Sequence, residues 1–365
     1  MRFELAGPAD DAELRRLLRE NPFEGAVRIS FEREPSAFLA ATLQGDMHQI
    51  IVARDETTGK LLGSGSRAIA DAWVNGRPAR LGYLGQLRVD RAHRGNARMV
   101  QRGYAFLREL HGDGATPFYV TTIIEDNLTA RRFLEAGIEG LPRYRPMEAY
   151  VTLTIPVRRR RATPGIEIAS AGPGDLELIA DLLARWCQRH QFAAVWSRES
   201  LLRRERMREL DLRHFLVARR DGRLAGCAAI WDQRAFKQAV VRGYDAKLAL
   251  VRPLLNFASP VLRIPRLPPS GTTLRAAVLS HVGVLDDDPE VAVSLVAEAS
   301  SRAVAKNLDY LHVGFAARHP LLTAIERKFS HRRYASVLYV VHWEDGAQAA
   351  DALDARIPHL EAAVL

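Results

Sequence analysis

Three stretches of the chain hold residues whose types and spacing can do chemistry. The first is Arg94-Gly95-Asn96-Ala97-Arg98-Met99, which follows the apolar run 81–89 and opens a segment with Met99, Val100, Tyr104 and Leu107 at helical spacing. A strand, a tight loop and a helix N-terminus form an anion site, because first-turn N–H groups lack partners and the helix dipole adds about half a positive charge. Gly95 lets the backbone approach closely, and Arg94 and Arg98 add charge-assisted donors, so the loop suits a pyrophosphate. The second stretch, Glu125-Asp126-Asn127-Leu128-Thr129-Ala130, closes an expected strand over 118–124 and starts a helix over 127–136, with Asn127 as N-cap. The third is acidic: Asp286, Asp287, Asp288 and Glu290 precede a helix expected from about Val291. Carboxylates there cap a helix well but repel phosphates.

These loops require a sheet to hold them. The pattern gives a strand at 2–5 and a helix capped by Asp10 with Leu14, Leu17 and Leu18 inward. A hairpin follows, with strands 48–54 and 61–69 around a turn at 55–60. Strand 81–89 leads into helix 96–110, strand 118–124 into helix 127–136, and strand 147–155 ends the series. The order β-α-β-β-β-α-β-α-β is mixed α/β, with one parallel crossover at helix 96–110.

The series occurs twice. Residues 6–18 (AGPADDAELRRLL) return as 171–183 (AGPGDLELIADLL), and Val52-Ala53-Arg54 returns as Val217-Ala218-Arg219. Gly59-Lys60-Leu61-Leu62-Gly63 returns as Gly222-Arg223-Leu224-Ala225-Gly226. Two tandem α/β domains are therefore expected, each a mostly antiparallel mixed sheet flanked by helices. They span 1–156 and 166–345, joined by a basic linker at 157–165. Residues 233–273 form an insertion in the second copy, rich in Arg and Lys, that covers the first cleft or makes a subunit contact. Residues 346–365 form a tail read as a final strand.

Composition is that of a globular protein, 47% hydrophobic and 26% charged over 365 residues. The two cysteines have no paired spacing, which argues against a disulfide framework and suits a reducing compartment. With no signal-like start and no long apolar span, a cytoplasmic protein without a membrane partner is expected. A net charge of +9 suits an anionic cofactor, and no nucleic-acid module accompanies the block at 158–161, which reads as a solvated linker.

Val89-x-x-x-x-Arg94-Gly95-x-Ala97 resembles the acetyl-CoA signature of the GNAT superfamily of N-acetyltransferases. It departs from that signature at Met99, where Gly or Ala is usual. Asn127-x-x-Ala130, closed by Gly137-Ile138, is similar to the second signature of the superfamily, and the tandem layout resembles that of mycothiol synthase. The resemblance implies an N-acyltransferase that moves an acetyl or other short acyl group from CoA to an amine, on a small molecule or peptide. It uses no metal, and the cofactor lies between strands 81–89 and 118–124. Leu87, Arg88 and Val89 would meet the pantetheine, Arg94, Gly95, Asn96, Ala97, Arg98 and Met99 the pyrophosphate, and Asn127 and Ala130 the pantetheine arm. The tyrosine that protonates the thiolate in this family is replaced here by Leu134, which leaves Tyr144 and Tyr104 as candidates. Glu125 and Glu24 are candidate bases, and Tyr83 and Gln86 would line the acceptor pocket. The acidic loop implies that the second copy has lost the cofactor and serves packing, dimerisation or acceptor shaping. The rival reading is a non-catalytic acyl-CoA-binding or regulatory protein.

Overall fold

In the computed structural model, which describes residues 1–262 and 265–365, the duplicated segments form the same local contacts twice. Gly7 N–H donates to the Asp10 carboxylate at 2.9 Å and Gly172 N–H to that of Asp175 at 2.8 Å. The Arg54 and Arg219 guanidiniums then pair with those same aspartates. Ala6 N–H reaches Ile50 O and Ala171 N–H reaches Phe215 O, again at an offset of 165. Each contact ties the turn before a helix to the strand behind it, so the repeat in sequence is a repeat in structure.

The first half runs β1 (Arg2–Leu5), α1 (Asp11–Glu20), β2 (Val27–Glu32), α2 (Ala37–Ala41), β3 (Met47–Arg54), β4 (Leu61–Val74), β5 (Arg77–Val89), α3 (Ala97–His111), β6 (Tyr119–Ile124), α4 (Leu128–Glu135) and β7 (Arg143–Pro156). The second runs β8 (Ile166–Ser170), α5 (Leu176–Gln188), α6 (Arg198–Leu202), β9 (Phe215–Arg220), β10 (Arg223–Trp231), β11 (Gln238–Tyr244), α7 (Ala246–Leu262), β12 (Ala276–Val284), α8 (Pro289–Ala305), β13 (Tyr310–Ala316), α9 (Pro320–Lys328), β14 (Arg332–His342) and α10 (Ala347–Asp351). The periodicity missed β2, α2 and the Asn75-Gly76 turn, where both residues take positive φ and let β4 and β5 extend into one long hairpin.

The separate sheets expected for the two copies are instead one. Among the described residues twelve strands join in the order β1-β3-β4-β5-β6-β14-β7-β13-β12-β10-β9-β8, while β2 and β11 form a separate ribbon. Pairs β5–β6 and β12–β13 are parallel and the rest antiparallel. The final strands are exchanged. β14 lies between β6 and β7, and β7 lies between β14 and β13, so each half's last strand completes the other half's sheet. Covering both exposed strand edges in this way joins the halves through backbone hydrogen bonds. The largest core cluster accordingly spans both halves, from Ala40 and Leu43 to Leu153, Trp186 and Phe315.

Two further expectations are corrected. The arginine block is not freely solvated: the main-chain N–H groups of Arg158 and Arg160 donate to Ser300 and Ser301 on α8 at 2.8 Å, and the Arg160 guanidinium lies over the Phe329 ring. The tail is not a strand. After α10 it runs to a short 3₁₀ turn at Ala362–Val364, held by a single backbone bridge between Pro358 and Gln191 and by side chains rather than by a ladder. Tyr150 O–H donates to Leu360 O at 2.6 Å, Lys237 donates to the carbonyls of Ala363 and Leu365, and the Glu361 carboxylate accepts from His281 N–H at 2.8 Å. Of the insertion, β11 pairs with β2, and Leu248 and Leu255 of α7 line the main cavity. Leu250, Leu254, Phe257 and Val261 of the same helix point to solvent. Arg263 lies outside the described residues.

Candidate functional site

The site starts from a misfit in one ladder. Ser64 pairs with Arg88 and Ser66 with Gly85, so two residues of β5 oppose one of β4, and Gln86 takes φ +52 to absorb the extra residue. The bulge turns β5 away from its other neighbour. β5 meets β6 only at Gly82–Tyr119 and Tyr83–Val120, and beyond these pairs the two strands diverge. Main-chain groups from Leu84 onward thus border a gap, and a cavity of about 800 Å³ opens through it.

Alternation divides the cavity lining between the two faces. Towards α3 and α4 stand Leu84, Met99, Tyr104, Leu107, Leu134 and Tyr144. Towards α1 stand Tyr83, Ser64, Ser66, Gln86 and Arg88, with β2, β11 and α7 contributing Ile29, Val241 and Leu248. Of the residues expected at the cofactor, Leu87, Arg88, Val89, Met99, Asn127 and Ala130 line the cavity together.

The loop between Val89 and Met99 is built as an N-terminal cap. Asn96 Oδ1 accepts Met99 N–H at 3.0 Å, and Asp90, whose carboxyl accepts from Ala92 N–H, fixes the turn before it. Gly95 sits at φ +84 with open space around its Cα, as close backbone approach requires. Gly95, Asn96, Ala97 and Arg98 are exposed, and Arg94 reaches Asn21 Oδ1 at 3.2 Å. Met99, the residue that departs from the signature, points down instead. It is buried against Ala53 and Leu62, and its methyl fills the space that a side chain on Gly63 would need. Asn127 caps α4, accepting Ala130 N–H at 3.2 Å.

The candidate acid and bases are placed unequally. Tyr144 and Tyr104 share a 2.5 Å hydroxyl–hydroxyl hydrogen bond and pack with Leu134, the position usually held by the tyrosine. Burial pushes Tyr104 up to about 12 and Tyr144 well above the ordinary phenol value, so both stay protonated at neutral pH. Glu125 is exposed at the end of β6, and Glu24 pairs with Arg91 at 3.3 Å; neither lines the cavity. Arg33, Ser66 and Lys237 do line it, although no motif in the sequence marked Arg33 or Ser66.

The second copy repeats the bulge, with His281 at φ +50 where the first has Gln86. There the gap is filled, because Glu361 takes the His281 N–H and Ala362 packs on Gly314. The acidic loop is spent on caps and pairs. Asp288 accepts Glu290 N–H, Asp288 and Glu290 bind Arg220, and Asp287 binds Trp186 Nε1–H and Arg189.

His190, His319 and Asp287 lie within ligating distance of one another. Their hydrogen bonds already use both ring nitrogens of each histidine, however. His190 Nδ1 faces Trp186 O, Leu321 N–H donates to His319 Nδ1, and the two Nε2 atoms share one proton at 3.0 Å. A metal on His319 Nε2 would need a proton on Nδ1, against the Leu321 N–H.

Neither a protein-family model nor a curated protein matches the sequence. Solved structures do match in shape. Saccharomyces cerevisiae N-myristoyltransferase with bound myristoyl-CoA aligns with TM-score 0.60 at 14% identity, covering 93% of this chain and 82% of that one. A GCN5-related N-acetyltransferase from Sphaerobacter thermophilus aligns with TM-score 0.57 at 14% identity, over 93% and 94%. The fold is that of the GCN5-related N-acetyltransferases. A glucosamine N-acetyltransferase region of a fungal multi-domain β-N-acetylglucosaminidase aligns as well, with TM-score 0.62 at 14% identity, over 93% of this chain and 38% of that one. Each half carries one short parallel pair, β5–β6 and β12–β13, and in the first half it opens onto the cavity.

Proposed function

We propose that the chain is an acyl-CoA-dependent N-acyltransferase with its cofactor site in the first half. One observation carries this reading: the gap between β5 and β6, the start of α3 at Met99 and the Asn127 cap border a single cavity with a mostly apolar lining, and the exposed Gly95 loop immediately precedes that helix. The pyrophosphate would rest on Gly95–Arg98 with Arg94 and Arg98 as donors, and the pantetheine amides would pair with the main chain of Leu87 and Val89 as an added strand. Acetyl or another short acyl group would then lie at the bulge, where a main-chain N–H meets the developing oxyanion. The acceptor amine, entering neutral, attacks the thioester carbon, the C–S bond breaks, Tyr144 gives its proton to the thiolate with Tyr104 behind it, and the surplus proton on the amide nitrogen restores the phenol. Tyr83 and Gln86 border the acceptor side. Names of similar proteins that act on myristoyl-CoA and on glucosamine fit acyl transfer but leave the acyl length open.

Thiol release from acyl-CoAs of two to fourteen carbons, measured with a panel of amines, tests the reading. Turnover that depends on Arg94 and Asn127 is expected. Tight CoA binding without release for any amine would favour a non-catalytic acyl-CoA-binding protein.

A further inference from the structure

An ammonium group that is to be acylated usually enters a cavity holding a carboxylate that attracts it or takes its proton. Here no Asp or Glu lines the cavity among the described residues, while Arg33, Arg88, Arg234, Lys237 and Arg332 do. Two of these have their charge engaged: Arg234 pairs with Asp232, and Lys237 is tied to the tail carbonyls. Arg33 is different. It is 6% exposed, its one hydrogen bond is a long 3.4 Å contact to Glu32 O, and it makes no ion pair among the described residues. The neighbouring carboxylates are already committed, Glu32 to Arg242 and Glu34 to Arg15 and Arg19.

Around Arg33 lie further groups without partners. Ser66 Oγ and Gln86 Oε1 are buried without a hydrogen bond, and both stand with Arg33 and Lys237 in a small recess that shares these lining residues with the main cavity. Among the described residues Arg88 reaches only Leu87 O and the face of Phe23. All of these lie on the α1 face, opposite α3 and α4. A buried guanidinium without an anion is costly, and burial together with the charge of Arg88 holds Arg33 down to about 10.

We infer that this recess receives an anionic group on the acceptor, so that the acceptor is an amine carrying a carboxylate, as an amino acid does. This rests on the acyltransferase reading and gives its substrate class. An acceptor carboxylate on Arg33, with Ser66 O–H as a second donor, would leave its α-amine pointing towards the bulge of β5. The unneutralised cations would also favour loss of the ammonium proton, which offers activation where no Asp or Glu side chain among the described residues lines the cavity.

The test compares matched pairs: glycine and L-phenylalanine against glycinamide and L-phenylalaninamide, with phenethylamine as a second carboxylate-free analogue of L-phenylalanine, and with acetyl-CoA and myristoyl-CoA as donors. Carboxylates are expected to exceed their matched amides by at least about 100-fold in kcat/KM. Arg33→Met should raise the acceptor KM about tenfold or more and leave the acyl-CoA KM unchanged, with Arg33→Lys restoring part of the preference. Equal use of carboxylates and amides, or equal harm to both from Arg33→Met, overturns the inference and leaves acyl transfer standing. Titration of the same pairs into the CoA-bound protein provides a readout independent of turnover. Binding of carboxylates alone, lost in Arg33→Met, upholds the recess even if no thiol is released; binding of both classes alike, or of neither, overturns it. Circular dichroism of both variants controls for folding.

Discussion

Gly95 and Tyr144 stand at opposite ends of the proposed reaction, and each yields a separate test. Gly95 holds φ +84 in open space, so Gly95→Ala meets no clash but must strain the backbone by about 1 kcal/mol. Weaker CoA binding with a nearly unchanged melting temperature is expected by calorimetry, and undiminished binding would remove the loop from the site. Tyr144→Phe keeps the buried ring and deletes the hydroxyl that meets Tyr104. A loss of roughly 100-fold in kcat with acyl-CoA affinity retained is the expected result, and a wild-type rate would assign the proton to another group. The sequence marked the loop by type and spacing, and both tyrosines came forward only as candidates through the family resemblance. It gave no sign of Arg33, because one arginine in an unassigned segment cannot be told from a surface charge until its burial is known.

At the scale of elements, the repeat predicts that equivalent residues do equivalent work. Asp10 ties the start of α1 to β3 through Arg54, and Asp175 does the same for α5 through Arg219. Burial raises the Asp10 pKa, but the hydrogen bonds from Arg54 and Gly7 outweigh it and leave the folded value below 3.8. The group is thus depressed in the folded state. Its stabilisation is complete above pH 3.8 and fades as pH falls through the folded value. Asp10→Asn should cost about 1 kcal/mol at pH 7, and the gap to wild type should close in acid melts. A gap that persists unchanged below that range would mean that shape, not charge, does the work. Most elements were legible from period and turn chemistry. The tail was misread because its alternating apolar residues fit a strand as well as they fit a filled cleft, and only the bulge at His281 decided between them.

At the scale of the molecule, exchange of β7 and β14 means that neither half has its own complete sheet. One unfolding transition is expected in scanning calorimetry, and the segment 1–156 alone should fail to fold, since β6 would lose its neighbour β14. Two separable transitions would show independent halves. Buried histidines give this transition its acid dependence. Burial, helped by nearby Arg206, holds His281 down to about 3, and burial alone holds His312 down to about 4. Both values lie below the ordinary 6.5, so the neutral form's stabilisation is intact above that pH and is lost as pH falls towards the folded values. The loss should reach about 2 kcal/mol per histidine at pH 5. The melting temperature should therefore decline between pH 6.5 and 4, less steeply in His281→Gln; a flat profile would show that these rings reach solvent.

Taken by itself, the sequence determined the fold class, the duplication and the capped strand-to-helix loop at Gly95. Each of these depends on local patterns: apolar period, capping residues, glycine at positive φ and a repeated Gly-Pro-x-Asp turn. Only the tertiary structure decided that the two copies share one sheet, that the tail fills the second cleft, and that an unpaired arginine faces the first. Those outcomes depend on which strand edges and side chains meet across more than a hundred residues, and no local pattern records such meetings.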